Sequence, residues 1–264
     1  MKVALTIAGS DPISGAGVQA DLKTFAANGV YGTTVITAIT AQNTKEVKDV
    51  LSLPEYIVEA QFIAVAEEFQ IDAVKIGMVY DEKTIGLISS FISKYGLKNV
   101  VLDPVIISST NRWLVTKSGL SALKRDLIEK CFLLTPNKYE IETLLDTRLT
   151  DIEDIYSQKE KLKSLGVKNI LIKGGHFNNG DIKDILWSDG DFTEFTSKRV
   201  ENKNVHGTGC TLSSAIASFL AKGDDIVTSI KSAKDYLENC IESSIIFNHS
   251  MQQHLIDHFW KFKI

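Results

Sequence analysis

The run VHGTGCTLSSAIASFL, from Val205 to Leu220, sets two glycines and a thiol at the mouth of an apolar, helix-like stretch. Gly207 and Gly209 free the backbone to turn successive N–H groups outward, and the dipole of the following helix adds to them. Such a turn cradles an anion. It is not a Walker loop, because no Gly-Lys-Ser/Thr follows. Cys210 sits where a helix N-terminus favours thiolate, which predicts a thiol able to act as base or nucleophile. The competing reading is a small, inert, buried cysteine. That reading suits Cys131, in EKCFLL, and Cys240, in ENCIESSII.

Other residues at the ends of apolar runs carry complementary chemistry. Lys173, in KGGH, offers a point charge to a phosphate oxygen. Asp103, in DPV, is placed as an oxygen ligand of Mg2+ would be. Asn137 and Glu140, in TPNKYE, open a helix, and their spacing also makes an ordinary capping pair. Gln42 and Asn43 carry amides that read the donors and acceptors of a heterocycle. SGAGVQAD matches the dinucleotide pattern at Gly15, Gly17 and Ala20, but SDPI separates it from the strand before it. The next strand ends in TAQN, without the carboxylate a ribose needs, so no nicotinamide cofactor is expected.

The elements that must position these groups alternate along the chain. VALTIAGS, TTVITAIT, DAVKIG, NVVLDPV, CFLLTPN and NILIKGG read as buried strands, each closed by turn residues. Helix-like runs lie between them: VQADLKTFAANG, PEYIVEAQFIAVAEEF, DEKTIGLISSFISKYG, GLSALKRDLIEK and DIEDIYSQKEKLKSLG. Two final helices are expected over about 209–221 and 225–247. This order predicts an α/β fold, a parallel sheet with helices on both faces. DILWSDGDFTEFTSK breaks the rhythm, and its SDGD centre predicts an antiparallel hairpin at the sheet edge. Ligands of such sheets sit beyond the carboxyl ends of the strands, where AGSD, TAQNT, KIGM, DPV, TPN and KGGH gather.

With 264 residues and no linker, the simplest expectation is one domain over 1–264. The net charge of −4, with no basic block, gives a nucleic-acid partner no support. Three scattered cysteines predict neither a disulfide framework nor a zinc cage, and favour a reducing compartment. The opening MKVALTIAGSDP is too short for a secretory signal, and no apolar run reaches the ~18–20 residues of a membrane span. A cytoplasmic protein with no membrane partner is expected.

The ordered set AGSDPISGAGVQADLKTF, TAITAQNT, KIGM, LDPV, TPNKYE, KGGH and HGTGCTLSSAIA resembles the hydroxymethylpyrimidine/phosphomethylpyrimidine kinases of thiamin synthesis, in the ribokinase-like superfamily. The likeness runs from Val3 to about Asn248. It implies a three-layer α/β/α sandwich, mostly parallel, with a small antiparallel edge. It implies phosphorylation of 4-amino-5-hydroxymethyl-2-methylpyrimidine and then of its monophosphate, with ATP and Mg2+, and a homodimer. By position, Gly9, Ala16, Asp21, Gln42, Met78 and Val105 would line the pyrimidine pocket. Asp103, Asn137 and Glu140 would sit near Mg2+ and the phosphates, and Lys173 would meet phosphate oxygens. Gly207, Gly209 and Cys210 would form the anion hole, with Cys210 taking the hydroxyl proton or positioning the oxygen.

The chain departs from the family pattern where it carries SDPISGAG in the first glycine loop. It departs again in IISSTNRWL after DPV, which lacks a glycine. That segment and HFNNGDIKD are the expected lids. Three rival functions follow. Pyridoxal kinase shares the sequence type and acts on a similar hydroxymethyl group. A non-catalytic pyrimidine-phosphate sensor would not need Asp103, Lys173 and Cys210 together. A cysteine hydrolase would use His206 or His176 as base.

Overall fold

The apolar β-branched runs become one nine-stranded sheet. Its strands are β1 (Val3–Ser10), β2 (Tyr31–Gln42), β3 (Val47–Ser52), β4 (Ala73–Ile76) and β5 (Val100–Leu102), then β6 (Leu133–Leu134), β7 (Asn169–Ile172), β8 (Ile182–Ser188) and β9 (Asp191–Ser197). The structure is a computed structural model that describes residues 1–108, 112–177, 180–200, 203–248 and 251–262. The strand order is β3-β2-β1-β4-β5-β6-β7-β8-β9. The six strands from β2 to β7 in that order run parallel. The expected hairpin is β8–β9, antiparallel to β7 and to each other.

Helices cover both faces: α1 (Gly17–Ala27), α2 (Glu55–Glu68), α3 (Glu82–Tyr95), α4 (Lys117–Ala122), α5 (Lys138–Leu145), α6 (Lys159–Ser164), α7 (Thr208–Lys222) and α8 (Ile226–Glu242). The period-two alternation of each strand divides its side chains between two cores. Leu5, Ile7, Val74, Ile76, Val100 and Leu102 point to the face covered by α2, α3 and α5. Ala4, Ala73, Val101, Leu133 and Leu171 point to the face covered by α1, α7 and α8. The result is a three-layer α/β/α sandwich. Among the described residues no helix is long and apolar enough to cross a membrane.

Several boundaries differ from the sequence reading. β3 was not foreseen; VKDVLS mixes charge with apolar residues because it is an edge strand paired on one side, antiparallel to β2. The run 119–130 is not one α-helix: α4 passes into a wider π turn over Leu123–Leu127 and a tight 3-10 turn over Ile128–Lys130. The run 151–166 begins as a 3-10 helix, Ile152–Gln158, before α6. α8 stops at Glu242, short of 247. A second small sheet joins β10 (Val205–His206) to β11 (His254–Leu255) in parallel.

Strand order reverses at β1, which lies between β2 and β4, and that reversal opens a crevice at the carboxyl ends. The residues with chemical potential meet there.

Candidate active site

Two helix starts at the carboxyl ends of the strands are closed by side chains: Asp81 caps α3 and Asn137 caps α5. α7 begins instead at Gly207, at φ 86°, with no side-chain cap. Its first N–H groups and its dipole therefore remain for a ligand. Gly207 is required twice over, since its φ disfavours other residues and a Cβ there would stand 1.7 Å from the Gly15 carbonyl oxygen.

Lys173 faces this turn. A Cβ on Gly209 would lie 3.3 Å from Lys173 Nζ and 3.5 Å from Asp103 Oδ2. Lys173 donates to Asp103 Oδ1 at 2.6 Å and lies 3.8 Å from Glu140 Oε2. Burial alone would pull the lysine down, but Asp103 and Glu140 outweigh it and hold it above its ordinary value, so it stays charged. Burial pushes Glu140 up to about 7, with Lys173 pulling it back and Asp103 adding to the rise. Glu140 and Asn137 also form the full capping box: Glu140 N donates to Asn137 Oδ1 at 3.0 Å, and Asn137 N donates to Glu140 Oε2 at 2.7 Å. The structural reading of that pair therefore holds whatever else it does.

Cys210 lines the same cleft, half-buried, but its state differs from the expected thiolate. Burial pushes the thiol up to about 11; Lys75 opposes this, while Asp21 and Asp103 add to it. Desolvation outweighs the helix terminus, and the sulfur is a neutral thiol at neutral pH.

The cleft encloses about 830 Å3, near the top of the range of roughly 300–1,000 Å3 for small-molecule sites. Gly9, Ala16, Gln42, Met78 and Val105 line one end. Asp103, Asn137, Glu140, Lys173, Gly207 and Gly209 line the middle. The far end runs between Val200, Val205, Leu212, Leu237 and Ile241, an apolar slot with Lys203 and Arg199 at its border. The sequence reading did not assign this end, since it joins Val200 of a loop and Leu237 and Ile241 on one face of α8 to Val205 and Leu212 beside the glycine turn.

Two expected residues are corrected. Asp21 does not line the cleft: it is fully buried and saturated by Lys75 Nζ at 2.9 Å to both oxygens, Thr6 Oγ1 at 2.6 Å and Ser214 Oγ at 2.7 Å. Asn43 turns the chain instead of reading a ring, its side chain accepting from the N–H groups of Lys45 and Glu46. Lys75 was overlooked. Its signal was a lone lysine inside the buried strand AVKI, where only a paired charge is tolerated. Asp11 was overlooked too. Its carboxylate gathers the N–H groups of Ile13, Gly15 and Ala16 and the His206 ring at 3.0 Å, and so shapes the first glycine loop.

The hydrolase reading loses its base. His206 is committed to Asp11, His176 packs edge-on against Tyr139, and no hydrogen bond joins either to Cys210 among the described residues. Residues 109–111 and 178–179 of the two expected lids lie outside the described residues.

Two buried carboxylates beside a cleft fit Mg2+, a hard cation usually held by one or two carboxylates plus water and substrate phosphates. Among the described residues no group of three or more acidic, His or Cys ligands forms a dedicated metal cage.

A family model described as phosphomethylpyrimidine kinase matches residues 11–254. The chain belongs to that family. The bifunctional thiamine biosynthesis protein ThiED of Geobacter sulfurreducens is 42% identical over 90% of this chain, which covers 48% of that relative. The chain thus spans about half the length of the bifunctional relatives it matches. The phosphomethylpyrimidine kinase of Clostridium difficile superposes with a TM-score of 0.81 and 41% identity, over 91% of this chain and 100% of that one. Pyridoxal kinase of Bacillus subtilis, as its ADP complex, superposes with a TM-score of 0.88 and 32% identity, over 98% and 97%. Asp103, Lys173 and Gly209 thus meet in the cleft of a chain that belongs to this family.

Proposed function

We propose that the protein transfers the γ-phosphoryl group of ATP to the hydroxymethyl oxygen of 4-amino-5-hydroxymethyl-2-methylpyrimidine, and then phosphorylates the monophosphate to the diphosphate, for thiamin synthesis. The observation that carries this reading is the convergence of the uncapped α7 N-terminus, Lys173 and Asp103 on one point of the cleft.

The apolar slot beside α8 receives the nucleotide base, and the end lined by Gln42, Met78 and Val105 receives the pyrimidine. Gln42 hydrogen-bonds the ring, and Met78 and Val105 supply apolar contact. The N–H groups after Gly207 and the Lys173 ammonium hold the migrating phosphoryl, whose charge spreads over its outer oxygens. Asp103 and Glu140 would hold Mg2+, which neutralises phosphate charge when bound. The alcohol oxygen forms the new P–O bond as the bond to ADP breaks, and its proton passes late in the step to an oxygen of the transferred phosphoryl group and from there to solvent. Such a loose transition state asks little of a base, so the neutral Cys210 thiol positions the alcohol instead of ionising it. In the second step the acceptor is already a phosphate oxygen.

Residues 1–264 act as one kinase domain in the cytoplasm. The free state of Cys131, Cys210 and Cys240 suits a reducing compartment. The working form is a homodimer, and exposed Ile39 and Leu51, paired across β2 and β3, supply an apolar face for it.

Pyridoxal phosphorylation is the second reading. The closer superposition on pyridoxal kinase, over more of the chain, favours it. The higher identity to the pyrimidine kinase favours the first. Measuring kcat/KM for both alcohols with Mg-ATP separates them. A preference for the pyrimidine is expected; a preference for pyridoxal, with a single phosphate added, overturns the first reading.

A further inference from the structure

Segment 251–262 crosses the rim of the cleft and touches both loops that build it. β11 pairs with β10 through Val205↔His254 and His206↔Leu255. β10 leads directly into Gly207. Leu255 also packs toward Gly15, where a Cβ would meet its Cδ2 at 3.2 Å. Gln253 lines the cleft. Three residues after Leu255 comes His258, only 2% exposed. Its Nε2 lies 3.1 Å from the hydroxyl of Thr211, the residue after Cys210. Its carbonyl accepts from the Tyr236 hydroxyl of α8 at 2.9 Å. Thr211 N donates to Gly207 O at 3.0 Å and closes the first turn of α7.

We propose that His258 is a positioning residue for phosphoryl transfer, holding the first turn of α7 in its receiving geometry through Thr211. The inference rests on the function proposed above. The family match ends at residue 254, and His258 lies beyond it. An imidazole used only to fill space would be a poor choice here. Its other nitrogen, Nδ1, is buried and has only the Ile256 backbone nearby, outside good hydrogen-bond geometry, a cost that an apolar side chain avoids. What the imidazole supplies, and an apolar group cannot, is the bond to Thr211. Burial, with Lys23 nearby, pushes the ring down to about 4, so it is a neutral hydrogen-bonding group at working pH. Small displacements of groups that orient a reacting centre cost turnover more than binding.

The test compares wild type with His258→Leu, His258→Gln and Thr211→Val, each as the full chain. The glutamine side-chain amide can reach the Thr211 hydroxyl in place of Nε2, as donor through its nitrogen or as acceptor through its oxygen. With Mg-ATP and the pyrimidine alcohol, kcat of His258→Leu falls about ten-fold or more while KM for the alcohol stays within about two-fold. His258→Gln recovers most of the loss. Thr211→Val loses as much as His258→Leu, and the double variant loses no more than either. Should His258→Leu fail to fold, His258→Gln and Thr211→Val carry the comparison. Hydrogen exchange of the peptide spanning 205–212, without substrate, is the second readout. It speeds up in His258→Leu and Thr211→Val but not in His258→Gln. Unchanged exchange and kcat in His258→Leu overturn the inference, as does a loss in all variants that tracks only the fraction of folded protein. A wild type without kinase activity would instead overturn the proposed function, and the exchange experiment would still decide the role of His258.

Discussion

Gly209 and Lys173 face each other across the floor of the cleft, so that a methyl group on Gly209 would stand 3.3 Å from the lysine Nζ. That spacing leaves room for a phosphoryl oxygen only while position 209 lacks a side chain. Gly209→Ala is therefore expected to cut turnover about ten-fold or more through lost phosphoryl stabilisation. Its melting temperature should hold or rise, because alanine is the better helix former. Gly207→Ala should behave differently. Its Cβ would meet the Gly15 carbonyl at 1.7 Å, so stability falls with activity. Thermal unfolding and steady-state kinetics on the two variants check the contrast.

The pH profile separates Glu140 from Cys210. Glu140 is raised to about 7, chiefly by burial, so its carboxylate is lost as pH falls below that value. We expect kcat/KM to climb to a plateau near pH 7–8, with the rising limb absent in Glu140→Gln. A thiolate base with a pKa of about 11 would instead raise the rate about ten-fold per pH unit up to that value. A flat profile from pH 8 to 10 is the expected result.

Cys210 substitutions refine the point. Cys210→Ser keeps a neutral hydroxyl beside the alcohol and should stay within about ten-fold of wild type in the first phosphorylation, whereas Cys210→Ala should lose more. The second phosphorylation should be less sensitive to both. Separate rates for each step, read by quenched-flow product analysis, provide the check. Equal, severe loss in both variants would restore the ionised-thiol role.

Lys75 and Asp21 form an ion pair that is completely buried. Breaking it with Lys75→Met leaves an unpaired buried carboxylate and should cost about 3–5 kcal/mol. Replacing both partners with apolar residues should recover much of that loss. Denaturant unfolding of the single and double variants measures the difference.

Much of this arrangement was legible in the sequence because local signals were strong. The β8–β9 hairpin followed from SDGD, and the capping box of α5 from the spacing of Asn137 and Glu140. The rim residues Gln42, Met78, Asp103 and Lys173 came together because strand ends share one edge of the sheet, and the glycine turn at Gly207 meets them there. Long-range partnerships were not legible. Asp21 looked like a pocket residue, and only the fold brings Lys75 and Ser214 to it. The thiol state of Cys210 depends on desolvation by neighbours far apart in the chain, which no local motif encodes. Likewise, nothing near Thr211 in the sequence announces His258.

The central claim is that this cleft phosphorylates the pyrimidine alcohol twice. The most direct measurement is the mass of the products formed from 4-amino-5-hydroxymethyl-2-methylpyrimidine and Mg-ATP by wild type and by Lys173→Met. The account predicts monophosphate followed by diphosphate with wild type, and little of either with the variant. Absence of both products with wild type, or equal yields from the variant, would contradict it.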